Sequence, residues 1–258
     1  MRVGFDLDGT VADMQAALLR EARRLFPGVD PRAIPTSTAG SIVGTEADAA
    51  AKVDTPSFST SALTSAQQRE LWKAVCAIEN FWESLDEIEP GILARLYQLS
   101  REHKWEIIFL TSRPESAGDT AQMQSHRWLT RCGFEAPSVF VVHGSRGKIS
   151  SALALDVFID DRPENCLDIS IDSQTRAVLV WREPEDKVPT SARQLGIGSV
   201  SSIAACLDLL EELDRPGGQN DGLIAKFKRL LGIGGSPKKR THRSTFAEPA
   251  RDPALSRE

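Results

Sequence analysis

Short apolar runs alternate with longer amphipathic stretches along most of this chain. Arg2 to Leu7 has the compact apolar pattern of a buried strand, and Ala12 to Phe26 then sets Leu18, Leu19, Ala22, Leu25 and Phe26 on one side of a helix that Pro27-Gly28 ends. Residues 31 to 63 lose that periodicity and are rich in Ser, Thr, Ala and Gly, with a short helical pattern only over Glu46 to Val53. Ser65 and Gln68 have the spacing of a capping box, and Leu71, Trp72, Val75, Cys76 and Ile78 make the apolar stripe of the helix that follows, leading to Phe81 and Trp82.

From Pro90 the alternation is regular. Strands are predicted at Trp105 to Leu110, Val139 to Val142, Val157 to Ile159 and Ala177 to Trp181; helices are predicted at Ile92 to Leu99, Thr120 to Arg131, Lys148 to Leu153 and Ser199 to Leu213. Strands separated by helices predict an α/β fold with a Rossmann-like, doubly wound parallel sheet. Residues 1–13 and 90–214 form its core, and residues 14–89 form a helical cap inserted after the first strand, placed to cover a site at that strand's C-terminal end. Beyond Asp214, Arg215-Pro216-Gly217-Gly218-Gln219-Asn220 reads as a linker. Leu223, Ile224, Phe227, Leu230 and Leu231 then describe a short amphipathic helix in a basic tail, read as disordered or as a helix that docks on a partner or membrane surface.

Composition narrows the class. The chain of 258 residues is 41% hydrophobic and 26% charged, as in ordinary globular proteins, and no apolar run approaches the length of a membrane span. Met1 leads straight into a strand, so cytoplasm is the expected compartment. The four cysteines, at 76, 132, 166 and 206, lack metal-ligand spacing and read as reduced, buried thiols. Net charge is −5, but nine Lys/Arg against three Asp/Glu from Gly222 onward leave residues 1–221 at −11. That acidity argues against a nucleic-acid surface on the folded body.

The chemistry centres on Asp6-Leu7-Asp8-Gly9-Thr10. Side chains alternate along a strand, so two carboxylates two residues apart at its end lean toward one space, and Gly9 lets the chain turn away. Like charges that close are tolerable where a cation sits between them or one carries a proton. An ordinary Asp-Gly turn or a fragment of a calcium loop is the plain alternative, though the Glu that closes an EF-hand loop is missing. Further polar residues stand at later strand ends: Thr111-Ser112-Arg113-Pro114, Lys148, and Asp160-Asp161, the last pair also fit to cap the helix at Glu164. Asp13 reads as a helix cap, and Asn165 and Cys166 as capping and packing residues.

In that order, Asp-x-Asp-Gly-Thr, Thr, Lys and Asp-Asp resemble the four signatures of the haloacid dehalogenase superfamily of phosphotransferases. The resemblance implies that Asp6 is the nucleophile and Asp8 the acid and base, that Thr111 and Lys148 bind the phosphoryl oxygens, and that Mg²⁺ is held by Asp6, Asp160 and the Asp8 carbonyl. Asp161 would orient metal waters or pair with Lys148. Ser112 is placed at the phosphate or substrate, and Arg113 either touches the phosphate or substrate or lies on the surface. The second carboxylate, Asp8, points to phosphate esters rather than to dehalogenation, and no Lys follows Asp6 as in ion-pumping ATPases.

Asn80-Phe81-Trp82-Glu83-Ser84-Leu85, Ile88-Glu89-Pro90-Gly91, Ile108 to Pro114, Arg127-Trp128-Leu129 and Phe158 to Asn165 are together similar to the cytosolic 5'(3')-deoxyribonucleotidase family. That similarity implies a 5'-nucleotidase acting on (deoxy)nucleoside monophosphates, with Phe81 or Trp82 as a stacking floor for the base and Trp72 a packing residue. It does not reach residues 31–63. A phosphatase of another small metabolite, such as a sugar phosphate, and a scaffold working through its basic tail are the other readings.

Overall fold

The computed structural model describes residues 1–28 and 63–214. The helical pattern at 46–53 and the amphipathic stretch at 223–231 fall outside them.

Among the described residues, six strands form one parallel sheet: β1 (Arg2–Asp6), β2 (Glu106–Thr111), β3 (Ser138–Val141), β4 (Val157–Asp160), β5 (Arg176–Val180) and β6 (Gly198–Val200). Their spatial order is β3-β2-β1-β4-β5-β6. The chain therefore builds outward from β1 in one direction and then crosses back to β4 to build in the other. In an open parallel sheet the crevice at that reversal, beyond the C-terminal strand ends, is where ligands bind.

The first helix, α1 (Met14–Leu25), starts where Asp13 accepts a hydrogen bond from Ala16 N at 2.9 Å, as its place before the apolar stripe predicts. In α2 (Ser65–Cys76) the capping box sits one residue earlier than predicted: Thr64, extended at ψ 158°, caps Gln67 N, and the Gln67 side chain returns to Thr64 N. The remaining helices are α3 (Ile92–Glu102), α4 (Ala121–Arg131), α5 (Arg146–Ala152), α6 (Pro163–Asp172), α7 (Thr190–Gln194) and α8 (Ile203–Asp214). A helix beginning at Ser199 is not formed, because residues 198–200 pair with Val178, Leu179 and Val180 as the edge strand β6. Among the described residues no helix is long and apolar enough to cross a membrane.

The chain leaves β1 and returns beside its own exit. Asp13 N donates to Asp86 O at 2.8 Å and Ile88 N to Val11 O at 2.9 Å. Within the intervening segment α1 and α2 pack on each other, and Leu71 and Val75 of α2 belong to the same buried cluster as Val3 and Phe5 of β1. These helices thus share the core of one sheet face. The other face buries Leu110, Phe158 and Leu179 against α6 and α7 through Cys166, Ile169 and Ala192.

The central strands are apolar on both faces up to their polar C-terminal ends, and in β1 Gly4 pairs with Phe158 of β4. A Cβ there would run into the Phe158 ring and come within 2.7 Å of Leu155 Cδ1. Gly4→Ala should therefore destabilise the fold by about 1–3 kcal/mol. Denaturant unfolding of Gly4→Ala, Phe158→Leu and the double variant checks this; the pair should cost less than the sum, and strict additivity would contradict the contact.

Candidate active site

Two strand ends meet at the reversal point. The β1–β4 register pairs Gly4 with Phe158 and Phe5 with Ile159, so the next step sets Asp6 beside Asp160. By strand alternation they lie on the face of Gly4 and Phe158. Asp161 follows, and Asp6, Asp160 and Asp161 each present a carboxylate oxygen within 4.8 Å of the others.

The turn after β1 holds Asp161 in place. Gly9, at φ +88°, reverses the chain so that Val11 N and Ala12 N both reach Leu7 O, and a Cβ at Gly9 would run into the Asp161 carboxylate. Thr10 Oγ1 donates to Asp161 Oδ1 at 3.0 Å and accepts from Asp161 N at 3.1 Å. Arg182 braces the same turn from outside, donating to Gly9 O at 2.7 Å and Thr10 O at 2.8 Å. Asp160 accepts from Arg162 N at 2.8 Å and Asn165 Nδ2 at 2.9 Å, so it also steadies the start of α6, whose N-cap residue is Arg162.

Burial and crowding raise the proton affinity of this cluster. Burial, then the charge of Asp160, raises Asp6 well above the usual carboxylate range, with Arg146 opposing. Burial raises Asp160. Burial and then Asp160 push Asp161 up to about 7. Three crowded, hard oxygen donors with surplus negative charge fit a divalent cation such as Mg²⁺. Cys166 lies beneath them, buried, with its thiol pushed up by burial and by the same carboxylates, so it is an inert packing residue.

Asp8 follows a different course from Asp6. It is buried against the end of β2, where Thr111 Oγ1 donates to Asp8 Oδ2 at 3.1 Å. Arg113 Nε lies 3.1 and 2.9 Å from its two oxygens, and Arg113 Nη2 is 2.8 Å from Oδ1. The Arg113 side chain is 0% exposed, so both expectations for it, a contact with phosphate or substrate and a place on the surface, give way to a buried ion pair. Removing either partner would leave a buried, unpaired charge at a cost of about 3–5 kcal/mol.

Two further expectations change. Lys148 is exposed, and the cation against Asp6 is Arg146, whose Nη2 lies 3.2 Å from Asp6 Oδ1 and 3.4 Å from Ser112 Oγ. Arg146 is fixed because α5 is anchored on α6: Asp168 accepts from Gly147 N at 2.9 Å and from Ser145 Oγ at 3.0 Å, and a Cβ at Gly147 would run into the Asp168 carbonyl. The sequence signal for Arg146 was Ser145, a helix cap that starts α5 before Lys148. Phe81 and Trp82 are core residues, 2% and 0% exposed, packed edge to face with 5.0 Å between ring centroids. Trp82 Nε1 is spent on Pro114 O at 3.0 Å. They offer no open face for a base, and Trp72 packs, half-buried, against the same cluster as predicted.

No protein-family model matches this sequence, and no curated protein does. Solved structures match in fold. A HAD family hydrolase from Deinococcus radiodurans R1, with bound phosphate and sodium, aligns with TM-score 0.51 and 12% identity over 83% of this chain and 95% of that one. A candidate beta-phosphoglucomutase from Thermotoga maritima gives 0.47 and 16% over 82% and 99%. A hydrolase from Pseudomonas syringae gives 0.42 and 15% over 81% and 98%. The Deinococcus alignment places the architecture in the HAD fold; at such identities the likeness is one of fold alone.

The carboxylate cluster has a pH signature. A group whose pKa is raised on folding stabilises fully below its unfolded value and loses that contribution as pH rises through the folded one. For Asp161 the loss runs from about 3.8 to about 7. Thermal unfolding of chelator-treated protein should show this decline from about pH 4 to about pH 7, Asp161→Asn should flatten it, and Mg²⁺ should raise the melting temperature most at the alkaline end. An Asp161→Asn profile parallel to that of the unmutated protein would exclude Asp161 as a titrating member.

Proposed function

We propose that this protein is a divalent-cation-dependent phosphomonoesterase acting through an aspartyl-phosphate on Asp6. The reading is carried by Asp6, Asp160 and Asp161, gathered within 4.8 Å at the reversal point of the sheet. Arg146 lies against Asp6, and Asp8 stands two residues on.

Phosphoryl transfer is governed by positioning and charge, and the residues present divide those roles. An Asp6 oxygen attacks phosphorus, and the ester P–O bond breaks as Asp8, a carboxylate paired with Arg113 in the free protein that takes up one proton on substrate binding, passes that proton to the leaving oxygen. Asp8, now a carboxylate, takes a proton from the water whose oxygen attacks phosphorus next. The bond from Asp6 to phosphorus breaks, phosphate departs, and both carboxyl groups are restored. Mg²⁺ held by Asp6, Asp160 and the Asp8 carbonyl would neutralise the phosphoryl oxygens. Arg146 adds to that neutralisation, because its Nη1 is buried with no partner among the described residues, a donor that a phosphoryl oxygen would satisfy. In this reading Arg146 takes the part that the signature resemblance assigns to Lys148, and Thr111 acts through Asp8.

For the substrate, the junction motifs resemble those of deoxyribonucleotidases and favour a nucleoside monophosphate. The burial of Phe81 and Trp82 favours instead a sugar or polyol phosphate, whose recognition needs no stacking floor.

Phosphate release with Mg²⁺ across nucleoside monophosphates and sugar phosphates tests both levels. Asp6→Asn should lower turnover by about 10³-fold or more, as loss of a covalent nucleophile does; substantial residual activity would contradict the nucleophile. Arg146→Ala should cost about 10²–10³-fold in kcat/KM, the scale of a lost transition-state donor, while Lys148→Ala costs little. The reverse ranking of those two variants would return the role to Lys148.

A further inference from the structure

We propose that Arg113 is the positioning residue that sets the direction of the Asp8 carboxylate, and so the efficiency with which leaving groups that need a proton depart. The inference rests on the phosphomonoesterase reading of the site. Arg113 cannot serve substrate directly, because each part of its guanidinium is engaged in the interior. Nε and Nη2 bind both oxygens of Asp8, and Nη1 donates to Ser125 Oγ on α4 at 2.8 Å. Ser125 is buried and donates in turn to Ala121 O at 2.6 Å, which fixes the acceptor.

Aromatic neighbours hold the same fork. The guanidinium carbon lies 5.0 Å from the Trp82 ring centroid and 5.6 Å from that of Trp128. Each indole is itself pinned, Trp82 Nε1 on Pro114 O at 3.0 Å and Trp128 Nε1 on Leu85 O at 2.8 Å. A planar fork bound to both carboxylate oxygens fixes the carboxylate's plane, which a single point contact could not. Asp8 lies beyond the end of β1, in an isolated bridge to Ala12, and its carboxylate takes its direction from the Arg113 fork and the Thr111 hydroxyl. Proton transfer to a leaving oxygen depends steeply on that orientation.

The readout is leaving-group dependence. The departing p-nitrophenolate needs little protonation, whereas phenolate from phenyl phosphate needs more. With Mg²⁺ and the full chain, Arg113→Lys should lower kcat/KM on phenyl phosphate at least tenfold more than on p-nitrophenyl phosphate. Ser125→Ala, which frees one anchor and leaves the ion pair in the core, should shift the ratio in the same sense by less. It also keeps the test open should Arg113→Lys fail to fold. Equal losses on both esters in folded variants, judged by circular dichroism, would overturn the positioning role and leave the phosphatase reading standing. Hydrolysis by the unmutated protein of neither ester and of none of the nucleoside or sugar phosphates above would overturn that reading, and the positioning role with it.

Discussion

Repulsion among carboxylates is the constraint around which this molecule is arranged. Two unit charges about 4 Å apart repel by roughly 4 kcal/mol at an effective dielectric of about 20, and here three such groups share one end of the sheet. Parallel strand geometry forces the encounter, since adjacent strands ending in step bring Asp6 and Asp160 side by side. Around the cluster the protein supplies partial compensation: Arg146 on Asp6, a backbone amide and Asn165 on Asp160, Thr10 on Asp161. The raised proton affinity that remains shows the compensation to be incomplete. A site left with surplus negative charge is suited to a cation.

Asp6 and Asp8 are separated by one residue yet occupy different electrostatic surroundings. The strand ends at Asp6, so the chain between them leaves the sheet, and Asp8 turns toward β2 while Asp6 faces β4. Each then meets its own arginine, one held by the helix after β3 and the other by the loop after β2. Different surroundings for neighbouring acids are what a division between nucleophile and proton carrier requires.

The segment returning from the insertion holds the Asp8 side of this arrangement. Asn80, at φ 53°, takes Asp119 N on its side chain and donates its own N–H to Ala117 O, Trp82 N binds Gln124, and Trp128 reaches Leu85 O. Residues 76–85 are thereby sewn to the stretch that carries Thr111 and Arg113. Aromatic residues of the types that suit a binding surface prove to be the packing beneath an ion pair, because their rings are consumed by the core and by Arg113.

Much was determined by the sequence alone, because it depends on local periodicity and on residue type. Five of the six strands in the described residues, the long helices, the Asp13 cap and the placing of Asp6 and Asp160 at strand ends follow from patterns that a short window contains, while their meeting with Asp161 is made by the β1–β4 pairing. What failed was decided by neighbours distant in sequence. β6 is three residues long and is a strand only because β5 offers it an edge. Arg146 and Lys148 lie about 200° apart on a helix, so which one meets Asp6 depends on where Asp168 of α6 pins that helix. Arg113, Phe81 and Trp82 have the residue types of a binding surface, and only tertiary packing, by closing α4 and the return segment over them, made them interior. Sequence specifies which groups can carry charge and where strands end; burial and pairing, which assign those groups their roles, exist only once the chain has folded.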